Sequence, residues 1–281
     1  MKAGVYYGAR DIRVEDIEDS QIGPADVLIK VRACGICGSD LHAYNQGIFS
    51  RPGWVMGHEL SGDAVAVGER VKDIKQGDRL VPIGRTNAPG CGQCYWCQMG
   101  QPQWCEVLPK KPCGQCEYCK TGQFYLCKET LRYQAIGYSR NGGYSEYVTV
   151  WDATLNKNVF KIPDGMSYDE GAFIEPLNGC LEWISLAEPE PRDTAVVLGL
   201  GTIGLLMMQV LKDTVSRVIV SELSPRRLQV AKEFGADVVI NATQEDPVQK
   251  VVEVTGVGRS RTGRSGGRAD FVMECSGAGV A

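Results

Sequence analysis

Thr194-Ala195-Val196-Val197-Leu198-Gly199-Leu200-Gly201-Thr202-Ile203-Gly204 is the stretch on which the reading of the chain turns. Apolar and β-branched residues run directly into Gly-x-Gly-x-x-Gly, and helical periodicity follows from Thr202 to Lys212. A strand, a tight glycine turn and a helix N-terminus in that order bring backbone N–H groups together where a pyrophosphate can approach. Gly199, Gly201, Thr202, Ile203 and Gly204 are therefore candidate cofactor contacts. Glu222 closes the next apolar run, 18 positions after Gly204. A carboxylate there accepts the ribose hydroxyls of a dinucleotide and repels a 2′-phosphate, which favours NAD over NADP.

Working outward, strands are expected at Thr194 to Leu198, Arg217 to Ser221, Asp237 to Ile240 and Ala269 to Glu274. Helices are expected at Thr202 to Lys212, Pro225 to Phe234 and Asp246 to Thr255, so right-handed crossovers give a parallel sheet covered on both faces. A doubly wound sheet of order 3-2-1-4-5-6 calls for two more strands, and the chain ends at Ala281 just past the fourth. The expectation is an α/β protein with an incomplete Rossmann-type sheet and a truncated C-terminus. Between helix and strand, Gly256 to Gly267 carries Arg259, Arg261 and Arg264 among Gly and Ser, with Arg268 next; its composition predicts a solvated, flexible loop.

Upstream the texture changes. Short β-branched runs at Val27 to Arg32, Asp63 to Val67 and Arg79 to Ile83 are broken by Gly and Pro, the pattern of a small irregular β domain. Ser167-x-x-Glu170 reads as a capping box opening a helix. Two domains are expected, residues 1–160 and 161–281.

With 281 residues, 43% of them hydrophobic, and a net charge of -4, neither disorder nor attraction to nucleic acid or an anionic membrane is indicated. The N-terminus lacks the apolar core of a secretory signal and no run reaches membrane-spanning length. A cytoplasmic protein acting on small molecules is expected.

Of twelve cysteines, eight form a repeat: Cys91, Cys94, Cys97 and Cys105 recur as Cys113, Cys116, Cys119 and Cys127, each 22 positions on. Each copy, C-x2-C-x2-C-x7-C, offers four soft ligands with no open position, which suits a structural zinc. One or two structural zinc ions are expected in a lobe over about residues 89–128. An iron–sulfur or thiol-redox module is the rival reading, although the ferredoxin spacing differs.

The only two histidines stand in polar clusters, Cys37-Gly38-Ser39-Asp40-Leu41-His42 and Gly57-His58-Glu59. Cys37, His58 and Glu59 can supply a thiolate, an imidazole and a carboxylate to a catalytic zinc that keeps one position open. Asp40 could fix the other nitrogen of His58. Ser39 and His42 could pass a proton from an alcohol toward solvent. Cys34 and Cys180 have no motif around them and are expected to pack as buried thiols.

These residues resemble the zinc-containing medium-chain dehydrogenase/reductase family, especially its sorbitol, threonine and butanediol dehydrogenase branch. The stretches C-G-I-C-G-S-D-L-H, G-H-E-L-S-G-D-A-V-A-V-G, G-D-R-L-V-P, G-G-Y-S-E-Y-V, I-E-P-L and G-L-G-T-I-G follow in the family's order. The resemblance implies a GroES-like β domain before the Rossmann domain and hydride transfer from a polyol, vicinal diol or 3-hydroxy amino acid to NAD. It implies Cys37 and His58 as zinc ligands, with Glu59 direct or exchangeable and Ser39 with His42 as relay. It further implies Glu175 near the metal, Arg227 beside the adenosine ribose, and a homo-dimer or homo-tetramer for the full-length protein. The second cysteine copy departs from the family pattern. A truncated, catalytically weak zinc-binding scaffold is the alternative function.

Overall fold

Alternation along the apolar runs determines how the second half folds. The computed structural model describes residues 1–48, 50–83, 93, 98, 115–120, 136–138, 140–259 and 265–277, which divide into compact units Met1–Glu175 and Pro176–Ala281. In chain order the first unit contains β1 (Lys2–Gly8), β2 (Asp11–Asp16), β3 (Val27–Cys34), α1 (Gly38–Gln46), β4 (Trp54–Val55), β5 (Leu60–Val67) and β6 (Arg79–Pro82). α2 (Glu117–Lys120), β7 (Tyr147–Val150), β8 (Val159–Lys161) and α3 (Tyr168–Ala172) follow. α4 (Ile174–Leu186) starts at the junction, and then come β9 (Thr194–Leu198), α5 (Thr202–Lys212), β10 (Arg217–Glu222), α6 (Pro225–Glu233), β11 (Val238–Asn241) and α7 (Pro247–Thr255). β12 (Val257–Arg259), β13 (Ser265–Gly267) and β14 (Phe271–Glu274) complete the order.

The second unit is a parallel sheet of order β11-β10-β9-β14, the 3-2-1-4 core of a doubly wound fold. Ala195 and Val197 of β9 share one buried cluster with Val218 and Val220 of β10, beneath Met207, Met208 and Leu211 of α5. Their neighbours Val196 and Ile219 face the opposite cluster with Ile240 and Val251. An uninterrupted apolar run is thus what a strand covered on both faces requires. Each such side chain contributes about 1.5–3 kcal/mol when fully removed from water, as an upper bound. β14 lies at the end of the sheet, with Val272 55% exposed.

The first unit holds an antiparallel sheet of order β7-β3-β5-β6-β8 and a three-stranded sheet β2-β1-β4. Val27, Ile29, Leu60, Leu80, Val148 and Val159 form the center of its core. α3 packs on β3 and β5 within the first unit. Its capping box forms, Ser167 N–H donating to Glu170 Oε2 at 2.7 Å and Glu170 N–H to Ser167 Oγ at 3.1 Å. Ser61 Oγ then donates to Tyr168 O at 2.6 Å, tying the helix to the strand.

One expectation is corrected. The two ends of the Gly- and Arg-rich segment after α7 pair as antiparallel strands, Val257 with Gly267 and Arg259 with Ser265, while residues 260–264 lie outside the described residues. The strand pair is held to α7 by the Arg268 N–H bond to Thr255 Oγ1 at 2.8 Å. Among the described residues, no helix is long and apolar enough to cross a membrane.

Candidate functional site

Pairing of β3 with β5 brings two distant motifs together. Cys34 lies opposite Leu60, and the Gly35 N–H donates to Glu59 O at 2.7 Å. The residues leaving β3, Gly35 to Cys37, therefore run beside those entering β5, His58 and Glu59. Cys37 caps the N-terminus of α1, and its N–H donates to Asp40 Oδ2 at 2.9 Å. The outcome is a cluster in which one donor atom each from Cys37, His58 and Glu59 lies within 4.8 Å of the others.

Burial governs the protonation of all three. His58, only 4% exposed, has its pKa lowered by desolvation, which the charge of Asp40 partly opposes. Desolvation raises Cys37, against hydrogen bonds from Ser39 that lower it. It also raises Glu59, against a hydrogen bond from Cys37. Left to themselves these groups are pushed toward neutral forms, whereas a divalent cation among them would favour thiolate, carboxylate and the imidazole lone pair together. His58 Nδ1 is moreover buried without a hydrogen-bond partner. A soft sulfur, a borderline nitrogen and a hard oxygen are the donor set that zinc accepts, and the residues fit it.

Around the cluster, Asp40 Oδ1 stands 4.0 Å from His58 Nδ1, beyond hydrogen-bond length, while its Oδ2 accepts from Cys37 N–H and from Tyr144 OH at 2.9 Å. Ser39 Oγ is 2.8 Å from Tyr138 OH, and that phenol is 3.2 Å from His58 Nε2. His42, one helical turn after Ser39 on α1, is exposed. Glu175, in the first turn of α4, is half-buried and stands outside the three-donor cluster, although its charge bears on Tyr138. Cys34 is partly buried, with its thiol pushed up to about 12 chiefly by desolvation, and Cys180 is fully buried. Neither joins the cluster.

Tyr138 has no motif to announce it. The one cue in sequence is its place after Gly137 and shortly before Gly142-Gly143, because glycines crowd where backbones must approach closely. Gly137 has φ +78°, and a Cβ there would lie 2.6 Å from Gly57 O. Only glycine fits this turn against the residue preceding His58.

In the second unit, β9 delivers the chain to Gly199, and Gly201 caps α5 at Thr202, so Gly199, Gly201, Thr202, Ile203 and Gly204 form one strand-to-helix turn. A Cβ on Gly204 would stand 1.9 Å from Gly199 O, so the turn requires glycine. Glu222, 9% exposed, closes β10. Its Oε2 accepts from Leu200 N–H at 2.7 Å, and its Oε1 from Leu223 N–H at 2.7 Å and Ser224 N–H at 3.0 Å. Arg227 Nη1 is 3.5 Å from Oε2, while Arg226 is exposed. Desolvation pushes this carboxyl up, yet the three N–H bonds and Arg227 outweigh it and the pKa falls below the usual value.

Of the expected cysteine ligands, Cys91, Cys94, Cys97, Cys105, Cys113, Cys127 and the side chain of Cys119 lie outside the described residues. Cys116, just before α2, is half-buried.

The chain belongs to the zinc-binding medium-chain dehydrogenase/reductase family, since the alcohol dehydrogenase GroES-like domain model matches residues 23–111 and 106–164 and the zinc-binding dehydrogenase model matches 202–281. The two GroES-like matches overlap inside the repeated cysteine segment. It is 34% identical to (R,R)-butanediol dehydrogenase of Bacillus subtilis strain 168, over 100% of this chain and 72% of that protein. Sorbitol dehydrogenase of the same strain is 32% identical over 91% of this chain and 65% of its own length. Among solved structures, a zinc-binding dehydrogenase of Sinorhizobium meliloti 1021 bound to NADP superposes with TM-score 0.74 at 31% identity, covering 99% of this chain and 70% of its own. An alcohol dehydrogenase of Escherichia coli CFT073 complexed with NADH gives 0.71 at 31% identity, covering 90% and 66%.

Proposed function

We propose that this chain oxidises a secondary alcohol, in a polyol, vicinal diol or 3-hydroxy amino acid, reversibly to the ketone with NAD as hydride acceptor. The observation that carries the reading is the convergence of Cys37, His58 and Glu59 within 4.8 Å of one another. These three residues would hold a zinc ion, with Glu59 able to exchange and Glu175 tuning the site from outside it. When bound, zinc supplies Lewis acidity at the substrate oxygen and NAD supplies the hydride acceptor.

The chain's own residues do the rest. Ser39 Oγ receives the hydroxyl proton, and His42, exposed on the same helix, hands it to solvent. Gly199, Gly201, Thr202, Ile203 and Gly204 receive the pyrophosphate, and Glu222 accepts the ribose hydroxyls with Arg227 alongside. Fixed by its hydrogen bonds in the charged form, Glu222 repels a 2′-phosphate, which supports NAD over NADP. The two cysteine quartets would each hold a structural zinc, giving about three ions per chain by ligand count. A cytoplasmic homo-dimer or homo-tetramer completes the reading.

The test is NAD and NADP reduction by the zinc-loaded protein across butanediol, sorbitol, threonine and simple alcohols. NAD reduction with a secondary alcohol, lost in Cys37→Ser, is expected. Zinc-loaded protein inert with every alcohol would contradict the reading.

A further inference from the structure

Gly35 stands where β3 hands the chain to the cluster, and a side chain there has no room. A Cβ on Gly35 would lie 2.3 Å from Glu59 Oε2, 3.2 Å from Glu59 Cβ and 3.4 Å from Glu59 Cδ. We propose that Gly35 is a positioning residue: its bare Cα leaves a recess that seats one oxygen of the Glu59 carboxylate, and this seat sets how the carboxylate meets a metal ion. This rests on the reading that Cys37, His58 and Glu59 hold a zinc ion.

Space, not backbone conformation, is what asks for glycine here. Gly35 is not among the residues with positive φ, so alanine can adopt the same backbone. That backbone is held on two sides. Its N–H donates to Glu59 O at 2.7 Å, and its carbonyl faces Tyr144 OH at 3.3 Å, a phenol that also donates to Asp40 Oδ2 at 2.9 Å. A methyl at position 35 therefore cannot retreat, and the flexible end of Glu59 gives way.

Ordinary contact begins at about 3.5 Å, so Oε2 must move by roughly 1 Å. The two oxygens of a carboxylate share one plane, and whichever faces the cluster moves with the other. Zinc holds a carboxylate oxygen at about 2.0–2.2 Å and does not follow a displacement of that size. The pose that brings a Glu59 oxygen within 4.8 Å of the donors of Cys37 and His58 is thus available only with glycine at 35. Aspartate in place of Glu59 is one methylene shorter and ends about where Glu59 Cδ stands, 3.4 Å from the added methyl. Alanine at 35 should be harmless beside it.

Zinc affinity of Gly35→Ala, Glu59→Asp and the double variant tests this. The chain has two histidines, so selective 15N-histidine labelling, with His42→Asn for assignment, resolves His58 and lets a zinc titration against a competing chelator be followed at the cluster. The proposal expects about 10- to 100-fold weaker zinc binding in Gly35→Ala than in wild type, and less than about twofold between Glu59→Asp and the double variant. Wild-type affinity in Gly35→Ala, or the same loss in both backgrounds, would overturn it. If the variant does not fold, crystals of zinc-loaded wild type decide: a Glu59 oxygen in the Gly35 recess with the carboxylate on the ion is expected, and a carboxylate that has left the recess overturns the proposal. An empty cluster in those crystals would remove the metal reading itself, a result distinct from a bound ion indifferent to Gly35→Ala.

Discussion

The carboxylate of Glu222 and the donors of the Cys37–His58–Glu59 cluster are buried in opposite ways. Around Glu222 the fold supplies three backbone N–H groups, and the acid is held charged before any ligand arrives. Around Cys37, His58 and Glu59 it supplies too little: one imidazole nitrogen lacks a partner, and burial drives thiol and carboxyl toward their protonated forms. A dinucleotide meets a finished surface, whereas the cluster is completed by the cation it receives. Backbone geometry alone can build the first kind of site. The second depends on side chains brought together by strand pairing, and its stability is bound to its occupant.

The largest effect should come from the cluster. Cys37→Ser should lower kcat/KM by more than about 100-fold, since outer partners of a metal ligand alone are worth 10–100-fold. It should also remove one zinc per chain by mass spectrometry while binding of added NADH, followed by its nicotinamide fluorescence, persists. Loss of NAD binding in this variant would break the contrast between the two sites.

Next in size is Glu222→Ala, which leaves three N–H donors without their acceptor. The loss should be about 2 kcal/mol in urea unfolding, with weaker NAD binding and a smaller preference over NADP. Zinc content should not change.

Acid acts on the two regions with the same sign but in different windows. The pKa of His58 is lowered from 6.5, so zinc-depleted protein is fully stabilised by the neutral ring above pH 6.5 and loses that stability as pH falls toward the folded-state value. Glu222 is lowered from 4.5, so its contribution is intact above pH 4.5 and is lost only as pH falls through its folded-state value. Thermal melts should therefore weaken first in the unit carrying His58, and zinc should suppress that phase. The smallest change is expected for His42→Gln, a few-fold drop in kcat with KM unaltered, because water can replace an exposed relay. Steady-state kinetics checks it.

Much of this was legible in the sequence, for identifiable reasons. β9 and α5 were placed at their observed limits because an apolar strand meeting Gly-x-Gly-x-x-Gly allows one reading. Cys37, His58 and Glu59 were legible as a donor set by chemistry, and β3–β5 pairing brings them together. β5 begins at Leu60, ahead of the run expected from Asp63, since Ser61 and Gly62 hide the alternation. β12 and β13 were hidden by Gly, Ser and Arg, whose composition suggests solvent rather than pairing. Tyr138 was invisible because a single loop tyrosine acquires meaning only from what the fold sets beside it.

The most direct measurement is anomalous diffraction at the zinc edge on crystals of the zinc-loaded protein. A peak bonded to Cys37 Sγ, a ring nitrogen of His58 and Glu59 is predicted. Zinc confined to the cysteine quartets, with nothing between those three side chains, would contradict the account.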